Sequence, residues 1–261
     1  MTQSSLPSPK ALVDSTALLV GGTAGVGLET ARQMLAAGVT VAIAGRDAER
    51  GAAAIRSLSS LGPVTFIRGD ASTAAGATDI ESEARAELGI IDILMCSTVP
   101  PIVPDLLFRT DIGSIPETIA ALTAPPMLMT AAVLASMRDQ RSGVIINVAS
   151  DAGKTATPGE SIIGAAMAAI IMFSRTVAME AKRDGIRVNV LTPSLIAGTE
   201  TSARVLKEGF SAKLFAKAAS MASLGVADPA DLAALAVFLA SPAARRLTGQ
   251  AISVNGGISA A

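Results

Sequence analysis

Short apolar runs alternate with longer helical patterns along most of this 261-residue chain. The runs are rich in Val, Ile and Leu, which is typical of parallel strands covered by helices on both faces. They predict seven strands, at Ala17–Val20, Val39–Ala44, Val64–Arg68, Ile91–Met95, Val144–Val148, Arg187–Leu191 and Ala251–Val254. Such alternation requires right-handed crossovers between parallel strands. The sequence therefore predicts an α/β fold, a doubly wound, mostly parallel seven-stranded sheet with helices on both faces.

The helical patterns between the strands predict a single domain over residues 15–261. They span Gly27–Ala37, Asp47–Ser60, Ser72–Leu88, Ile119–Arg138, Ile162–Arg183 and Asp228–Leu239. The longest break in the alternation, 193–225, has a weak helical pattern and predicts either a flap over a site or a surface excursion without a role. Residues 1–14 are polar and predict a disordered N-terminal arm.

The amino-acid composition excludes several classes of chemistry. The chain has no His, Tyr or Trp and only one Cys, which excludes a Ser-His pair, a His metal ligand, a tyrosine acid and an intrachain disulfide. We expect no bound metal. The net charge of −1 offers no field for a nucleic acid. The uncharged stretch 118–137 contains Pro125-Pro126, so we interpret it as a buried or interface helix in a cytoplasmic protein rather than a membrane span.

A glycine-rich segment follows the first predicted strand directly. Gly21, Gly25 and Gly27 allow a tight turn and a close approach of backbone N–H groups to a pyrophosphate, and the helix behind them adds a partial positive charge. We expect Thr23 and Val26 in the same loop to contact the nucleotide. The segment therefore predicts a dinucleotide site, the alternative being a glycine-rich turn with no cofactor bound.

The end of the second strand indicates which dinucleotide is preferred. An acidic residue there would bind the adenosine ribose of NAD(H), but the sequence reads Ala44-Gly45-Arg46. The guanidinium of Arg46 can pair with a 2′-phosphate, whereas Asp47 is one position further on and can cap the next helix. Arg46 thus favours NADP(H) over NAD(H), with a solvated surface arginine as the alternative.

Several further motifs resemble those of the short-chain dehydrogenase/reductase family. They are Gly69-Asp70, Ile91-Asp92-Ile93-Leu94, Ile145–Ser150, Gly185–Asn189 and Val254–Gly257. The resemblance covers nearly the whole chain and implies a Rossmann-like fold. It also implies that Asp70 contacts the adenine. The family's Asn-Asn-Ala-Gly signature reads Cys96-Ser97-Thr98-Val99 here, which places Cys96 at the cofactor.

The family's catalytic groups are a Ser, a Tyr, a Lys four residues after the Tyr, and a helical Asn that carries a relay water. In the register of this resemblance, Ser150 matches the Ser, but Ile163 and Met167 stand at the positions of the Tyr and the Lys. Ala121 or Leu122 stands at the position of the Asn. Aliphatic side chains and a thioether cannot transfer a proton, so we expect the usual mechanism to be lost.

Three functions stay open at this point. The first is an atypical oxidoreductase that uses another proton source. The residues considered for that role are Ser150, Asp151, Lys154, Glu160, Cys96, Ser97 and Thr98. The second is a lyase, isomerase, cyclase or hydrolase on the same fold, and the third is a catalytically silent subunit or nucleotide sensor.

Each of these polar residues also has an interpretation without a catalytic role. Ser150 could cap the strand end, Asp151 and Glu160 could be solvated loop charges, and Cys96 could be an inert thiol. An apolar floor of Ile163 and Met167 suits a small hydrophobic ligand. The resemblance implies a homodimer or homotetramer formed through the fourth and fifth long helices, or pairing with an active paralogue.

Overall fold

The computed structural model describes residues 12–207 and 209–260. Seven strands form one parallel sheet in the order β3-β2-β1-β4-β5-β6-β7. The strands are β1 Thr16–Val20, β2 Thr40–Gly45, β3 Val64–Arg68, β4 Ile93–Cys96, β5 Gly143–Val148, β6 Ile186–Pro193 and β7 Ala251–Val254. This arrangement confirms the predicted doubly wound fold, and every strand pair in the described chain is parallel.

Eight α-helices connect and follow these strands in the described residues. They are α1 Gly25–Ala36, α2 Ala48–Leu58, α3 Ala74–Leu88, α4 Ile115–Gln140, α5 Ser161–Ala181, α6 Glu200–Val205, α7 Gly209–Met221 and α8 Pro229–Ala240. Helix α4 begins four residues before the predicted Ile119, because Pro116 is suited to the first turn of a helix and starts it there. The segment predicted as a flap contains α6 and α7.

The hydrophobic core has one layer on each face of the sheet. Leu19 of β1 points to the face that α1 and α8 cover, whereas Leu18 points to the face covered by α3, α4 and α5. Successive strand residues alternate between faces, so an almost wholly apolar strand fills both layers. Both side chains are completely buried. This double burial explains why the strands carry no polar–apolar alternation.

The first described residues continue into the core. Leu12 is 4% exposed and packs in the layer that contains α1. Residues 1–11 of the predicted arm lie outside the described residues.

Two helical stretches, Ile112–Gln140 and Ser161–Asp184, are long and apolar enough by composition to cross a membrane. They contain α4 and α5, which pack against each other and contribute side chains to the core layer on the Leu18 face of the sheet. Core helices of soluble proteins meet the same criteria, so these stretches are explained by the fold. That the chain does not enter a membrane stays a prediction.

Candidate functional site

A cavity of about 1130 Å³ lies at the carboxyl ends of the strands. Its walls come from the loops after β1, β2, β3, β4, β5 and β6, and from α4 to α7. The chain reverses direction across the sheet between β1 and β4, and ligands of open α/β sheets bind outside such a switch point. The cavity is therefore the candidate site. Most of the sequence-predicted nucleotide residues line it: Gly21, Thr23, Gly25, Val26, Arg46, Asp70 and Cys96.

The predicted glycine Gly27 does not line the cavity but packs the loop against α1. A Cβ there would lie 2.3 Å from the carbonyl oxygen of Gly21. By contrast, a Cβ on Gly25, whose φ is +51°, would meet only the Thr199 methyl carbon, at 3.8 Å. The N-cap residue of α1, Ala24, has no capping side chain, so the first-turn N–H groups are available to an anion. The loop thus forms an open cradle in front of a helix N-terminus.

Two arginines line the cavity near the end of β2. Arg46 is exposed and lines the wall, and Arg50 pairs with Glu200 of α6. Asp70 accepts hydrogen bonds from the backbone and hydroxyl of Ser72, at 3.0 Å and 2.7 Å. The hydroxyl bond, then the backbone bond, hold the pKa of the Asp70 carboxyl below its usual range, and Arg46 contributes to the same shift. The carboxylate is thus charged and oriented at physiological pH.

Ser150, Ile163 and Met167 also line the cavity. Ser150 follows β5 and begins a 3₁₀ turn, where its hydroxyl accepts a hydrogen bond from the Ala152 N–H at 3.2 Å. Ile163 and Met167 lie four residues apart on α5 and therefore share a helix face. Neither of their side chains can hold a proton.

Two consecutive prolines shape the α4 wall. Pro125 and Pro126 lie inside the helix, are buried and line the cavity. A proline has no N–H to donate, so the carbonyl oxygens of Ala121 and Leu122 lack their helical donors. Both residues also line the cavity, at the position that the sequence register assigns to the family Asn. Neither of these two apolar side chains can replace the amide of the family Asn.

Asp151 and Lys154 belong to a buried polar network behind the site. Asp151 accepts hydrogen bonds from Ser253 at 2.8 Å, from Ser259 at 2.9 Å and from Asn255. Lys154 Nζ lies 3.7 Å from Asp151 Oδ1 and donates to Ser253 Oγ at 2.5 Å. Both charges are less than one-tenth exposed. The network ties the C-terminal tail to the loop after β5.

Cys96, the last residue of β4, and Ser97, which follows it, also have structural roles. Complete burial raises the pKa of the Cys96 thiol far above its usual range. This thiol stays protonated and unreactive. Ser97 Oγ lies 3.4 Å from the carbonyl oxygen of Val20 and 3.5 Å from that of Gly21, so it can donate to the glycine loop.

Glu160 has a different environment from the other carboxylates of the site. It precedes α5 and lines the cavity, and its side chain makes no capping hydrogen bond to the helix. Burial raises the pKa of its carboxyl to about 7, against a smaller lowering by the hydrogen bond with Thr157. Glu160 is thus a partly buried carboxyl rather than a fully exposed loop charge.

Two polar residues of the cavity wall were not predicted from the sequence. Within residues 12–207 and 209–260, three buried side-chain nitrogen or oxygen atoms have no hydrogen-bond partner, and Thr155 Oγ1 and Arg204 Nη1 are two of them. Both residues line the cavity. Arg204 lies on α6, which begins at a capping box formed by Thr199 and Ser202. That local signal could have located α6, but nothing local indicates that Arg204 turns towards a cavity.

Known proteins match this chain over almost its full length. A family model described as "Enoyl-(Acyl carrier protein) reductase" matches residues 21–259. A 3-oxoacyl-[acyl-carrier-protein] reductase FabG from Chlamydia pneumoniae is 34% identical over 248 residues, covering 95% of this chain and 98% of the relative. The chain belongs to the short-chain dehydrogenase/reductase family.

Other members of the short-chain dehydrogenase/reductase family agree in length and shape. A 7alpha-hydroxysteroid dehydrogenase from Bacteroides fragilis is 30% identical over 247 residues, covering 92% of this chain and 93% of the relative. The crystal structure of a short-chain dehydrogenase/reductase from Burkholderia xenovorans superposes with a TM-score of 0.86 at 27% identity, covering 95% of this chain and 97% of that one. This short-chain dehydrogenase/reductase contains no Tyr anywhere in its sequence.

Proposed function

We propose that this short-chain dehydrogenase/reductase binds NADP(H) and catalyses hydride transfer at a small, apolar carbonyl or alcohol, without a tyrosine acid. The observation that carries the nucleotide proposal is the open cradle at Gly25. A side chain there would project into the cavity, and the α1 N-terminus behind it has no capping side chain. Backbone N–H groups in that arrangement suit a pyrophosphate.

The remaining contacts follow from the two ends of the cavity. Arg46 would pair with the 2′-phosphate, and Asp70 would accept a hydrogen bond from the adenine. Ser150 would orient the substrate oxygen beside Ile163 and Met167, whose apolar surfaces favour an apolar substrate. When bound, the nicotinamide supplies or accepts the hydride. The protein's own contribution is to hold the two reactants together and to exclude water.

Thermal unfolding with each of the four nicotinamide nucleotides tests this proposal. At a hundred times its Kd, a ligand adds about 2.7 kcal/mol of stability, which for a domain of this size raises Tm by about 5 °C or more. We expect that rise with NADPH and NADP⁺ and a smaller one with NADH and NAD⁺ at equal concentration. A chain whose Tm responds to none of the four would contradict the proposed function.

The choice between the two nucleotides is expected to depend on Arg46. Loss of a charge-assisted hydrogen bond costs about 1.5–3 kcal/mol, so Arg46→Ala should raise the Kd of NADPH about tenfold or more and leave that of NADH unchanged. Isothermal titration calorimetry measures both constants. Arg56→Ala is the matched control, because Arg56 is exposed on α2 and does not line the cavity. An equal loss for both nucleotides would remove Arg46 as the source of the preference.

The second candidate is a silent nucleotide-binding subunit. The apolar pair Ile163 and Met167 favours it, since both line the cavity and neither side chain can transfer a proton. NADPH consumption measured against a panel of ketones and aldehydes separates the two. Turnover supports the oxidoreductase, and a Tm response without turnover supports the silent subunit.

We also propose that copies of the chain associate through α5. Met172 and Met179 are 59% and 61% exposed and lie seven residues apart, which places them on one helix face. Met172→Glu with Met179→Glu is expected to lower the mass measured by light scattering, because the charges would be buried at an interface. Ile90→Glu, at a 47% exposed position before β4, is the control. A monomeric parent protein, or an unchanged mass in the double variant, would contradict this surface.

A further inference from the structure

Hydride transfer to a carbonyl requires a proton for the substrate oxygen, and most polar groups considered for this role are engaged elsewhere. Asp151 accepts hydrogen bonds from three side chains and stands beside Lys154. Cys96 is fully buried and Ser97 faces the glycine loop. An alcohol such as Ser150 is too weak an acid to act alone. The proton source must therefore be sought among the other ionisable groups on the cavity wall.

Glu160 lies on the same line of residues as the family positions. Ile163, Met167 and Ile170 line the cavity at helical spacings of four and three residues along α5. Glu160 stands three residues before Ile163 and continues this line by one turn. It lines the cavity as well. A carboxyl is thus present one turn from the position where the family places its phenol.

The surroundings of Glu160 favour the protonated form, so that about half of its carboxyl is protonated near pH 7. Gly159, directly before it, packs so closely against Phe210 of α7 that a Cβ would lie 2.3 Å from the ring. This contact places the Phe210 ring beside the residue that precedes Glu160. Burial is the main cause of the raised pKa, and the only other cause is a hydrogen bond with Thr157.

The charged groups on the same wall do not hold Glu160 in its ionised form. Towards the substrate end these groups are Glu117 of α4, Asp151, and Arg204 and Lys217 of the α6–α7 segment. Glu200 belongs to the ion pair with Arg50. None of these charges shifts the pKa of Glu160. A neutral carboxyl facing an apolar cavity can donate a proton, which the aliphatic Ile163 cannot do.

We propose that Glu160 is the general acid and base of this enzyme, exchanging a proton with the substrate oxygen. In the reductive direction the carboxyl O–H bond breaks and its proton joins the carbonyl oxygen as the carbonyl carbon gains a hydride from the reduced nicotinamide. The products are an alcohol, the oxidised nicotinamide and a carboxylate, which regains a proton from water. This inference rests on the proposed hydride transfer and assigns the proton step within it.

Glu160→Gln tests the assignment, because the amide keeps the size and polarity of the side chain but has no acidic proton. We expect kcat for carbonyl reduction to fall about 10²- to 10⁴-fold. The Tm rise with NADPH should be unchanged, since Glu160 is not placed at the nucleotide. Glu83→Gln is the matched control, as Glu83 is an exposed carboxylate on α3 that does not line the cavity. Its kcat is expected to stay within about twofold of the parent value.

The pH dependence supplies a second measurement. Reduction needs the protonated acid, so kcat of the parent enzyme is expected to fall as pH rises through about 7. The Glu160→Gln variant should lose this inflection. A Glu83→Gln variant should keep it.

Stability against pH gives a readout that needs no turnover. The folded pKa of Glu160, about 7, lies above its ordinary value of 4.5, so the folded state binds the proton more tightly than the unfolded state. Its contribution to stability is full below pH 4.5 and is lost as pH rises through 7. Urea unfolding between pH 4.5 and 8 should show this decline in the parent and less of it in Glu160→Gln. ¹³C NMR of labelled glutamate carboxyls should show one that titrates near 7 and is absent from the variant.

The outcomes separate the two proposals. No Tm response to any nicotinamide nucleotide contradicts the proposed function itself. NADPH binding with turnover that Glu160→Gln leaves intact overturns only the role of Glu160. NADPH binding without turnover of any carbonyl by the parent enzyme overturns that role as well. A tenfold or greater loss of kcat with unchanged NADPH binding and a lost inflection near pH 7 supports it.

Discussion

Ile163→Tyr combined with Met167→Lys is expected to restore carbonyl reduction to the Glu160→Gln enzyme. Both positions lie on the cavity wall, four residues apart on one face of α5, in the spacing that the family uses for its Tyr and Lys. The phenol would replace the carboxyl as proton donor one helical turn further along. We expect kcat to recover by about 10²-fold or more, measured as NADPH consumption with a ketone that the parent enzyme reduces.

The lysine is expected to matter as much as the tyrosine. An isolated phenol has a pKa of about 10 and donates weakly at neutral pH, whereas a nearby ammonium lowers that pKa. Ile163→Tyr alone should therefore recover less activity than the pair. Ile163→Phe with Met167→Lys is the matched control, because it adds the ring and the charge without a hydroxyl. Equal recovery in that control would show that the gain comes from packing.

A triple variant that folds and binds NADPH but recovers no kcat would contradict the placement of Ile163 and Met167 beside the reacting carbon. The substitution at Met167 needs a folding check, since Met167 is 7% exposed and an ammonium there is partly desolvated. Tm of the triple variant with and without NADPH supplies that check. The result would thus report on the register of α5 separately from the role of Glu160.

The sheet could be predicted from sequence because its strands are local and their pattern is unambiguous. Ala17–Val20 was predicted within one residue of β1, and its side chains fill the core on alternate faces. The predicted end of a strand was less accurate where the strand continues into polar residues. The predicted Arg187–Leu191 ends two residues short of β6, because Thr192 is buried and still pairs with β7.

The residues that follow the strand ends were also within reach of sequence reasoning. Parallel strands bring their carboxyl ends to one edge of the sheet, so residues that directly follow β1, β2, β3 and β5 converge there. Gly21, Arg46, Asp70 and Ser150 each follow a strand within three residues, and all line the cavity. Their placement needed only the strand assignment.

The chemistry of the acidic side chains could not be predicted in the same way. Glu160 and Asp151 are both loop carboxylates in sequence. Asp151 is bonded to Ser259, which is 108 residues away along the chain, and Glu160 is enclosed where α7 packs on Gly159. Asp151 therefore has a structural role, whereas the pKa of Glu160 is raised to about 7. Both differences arise from contacts between segments that are distant in sequence. Local sequence carries no signal of either environment.

Asp151→Ala is expected to be the most destabilising single change in the site. The carboxylate is 5% exposed and accepts hydrogen bonds from Ser253, Asn255 and Ser259, so its removal leaves buried donors without their acceptor. It also removes the anion beside the buried ammonium of Lys154. Breaking a buried ion pair typically costs about 3–5 kcal/mol, and urea unfolding at pH 7 should show a loss of that size.

The loss should begin at the C-terminal tail. Ser259 lines the cavity and is fastened by Asp151 and by Asn255. Limited proteolysis of Asp151→Ala is therefore expected to cut after residue 254 before it cuts the sheet, and NADPH should protect the tail less than in the parent.

Asp151→Asn retains one acceptor oxygen and should lose less stability than the alanine variant. Asp139→Ala, at an exposed position on α4, should change the free energy of unfolding by about 0.5 kcal/mol or less. Equal stability of the Asp151 and Asp139 variants would show that the tail is held by its backbone packing, and that the network behind Ser150 contributes nothing to it.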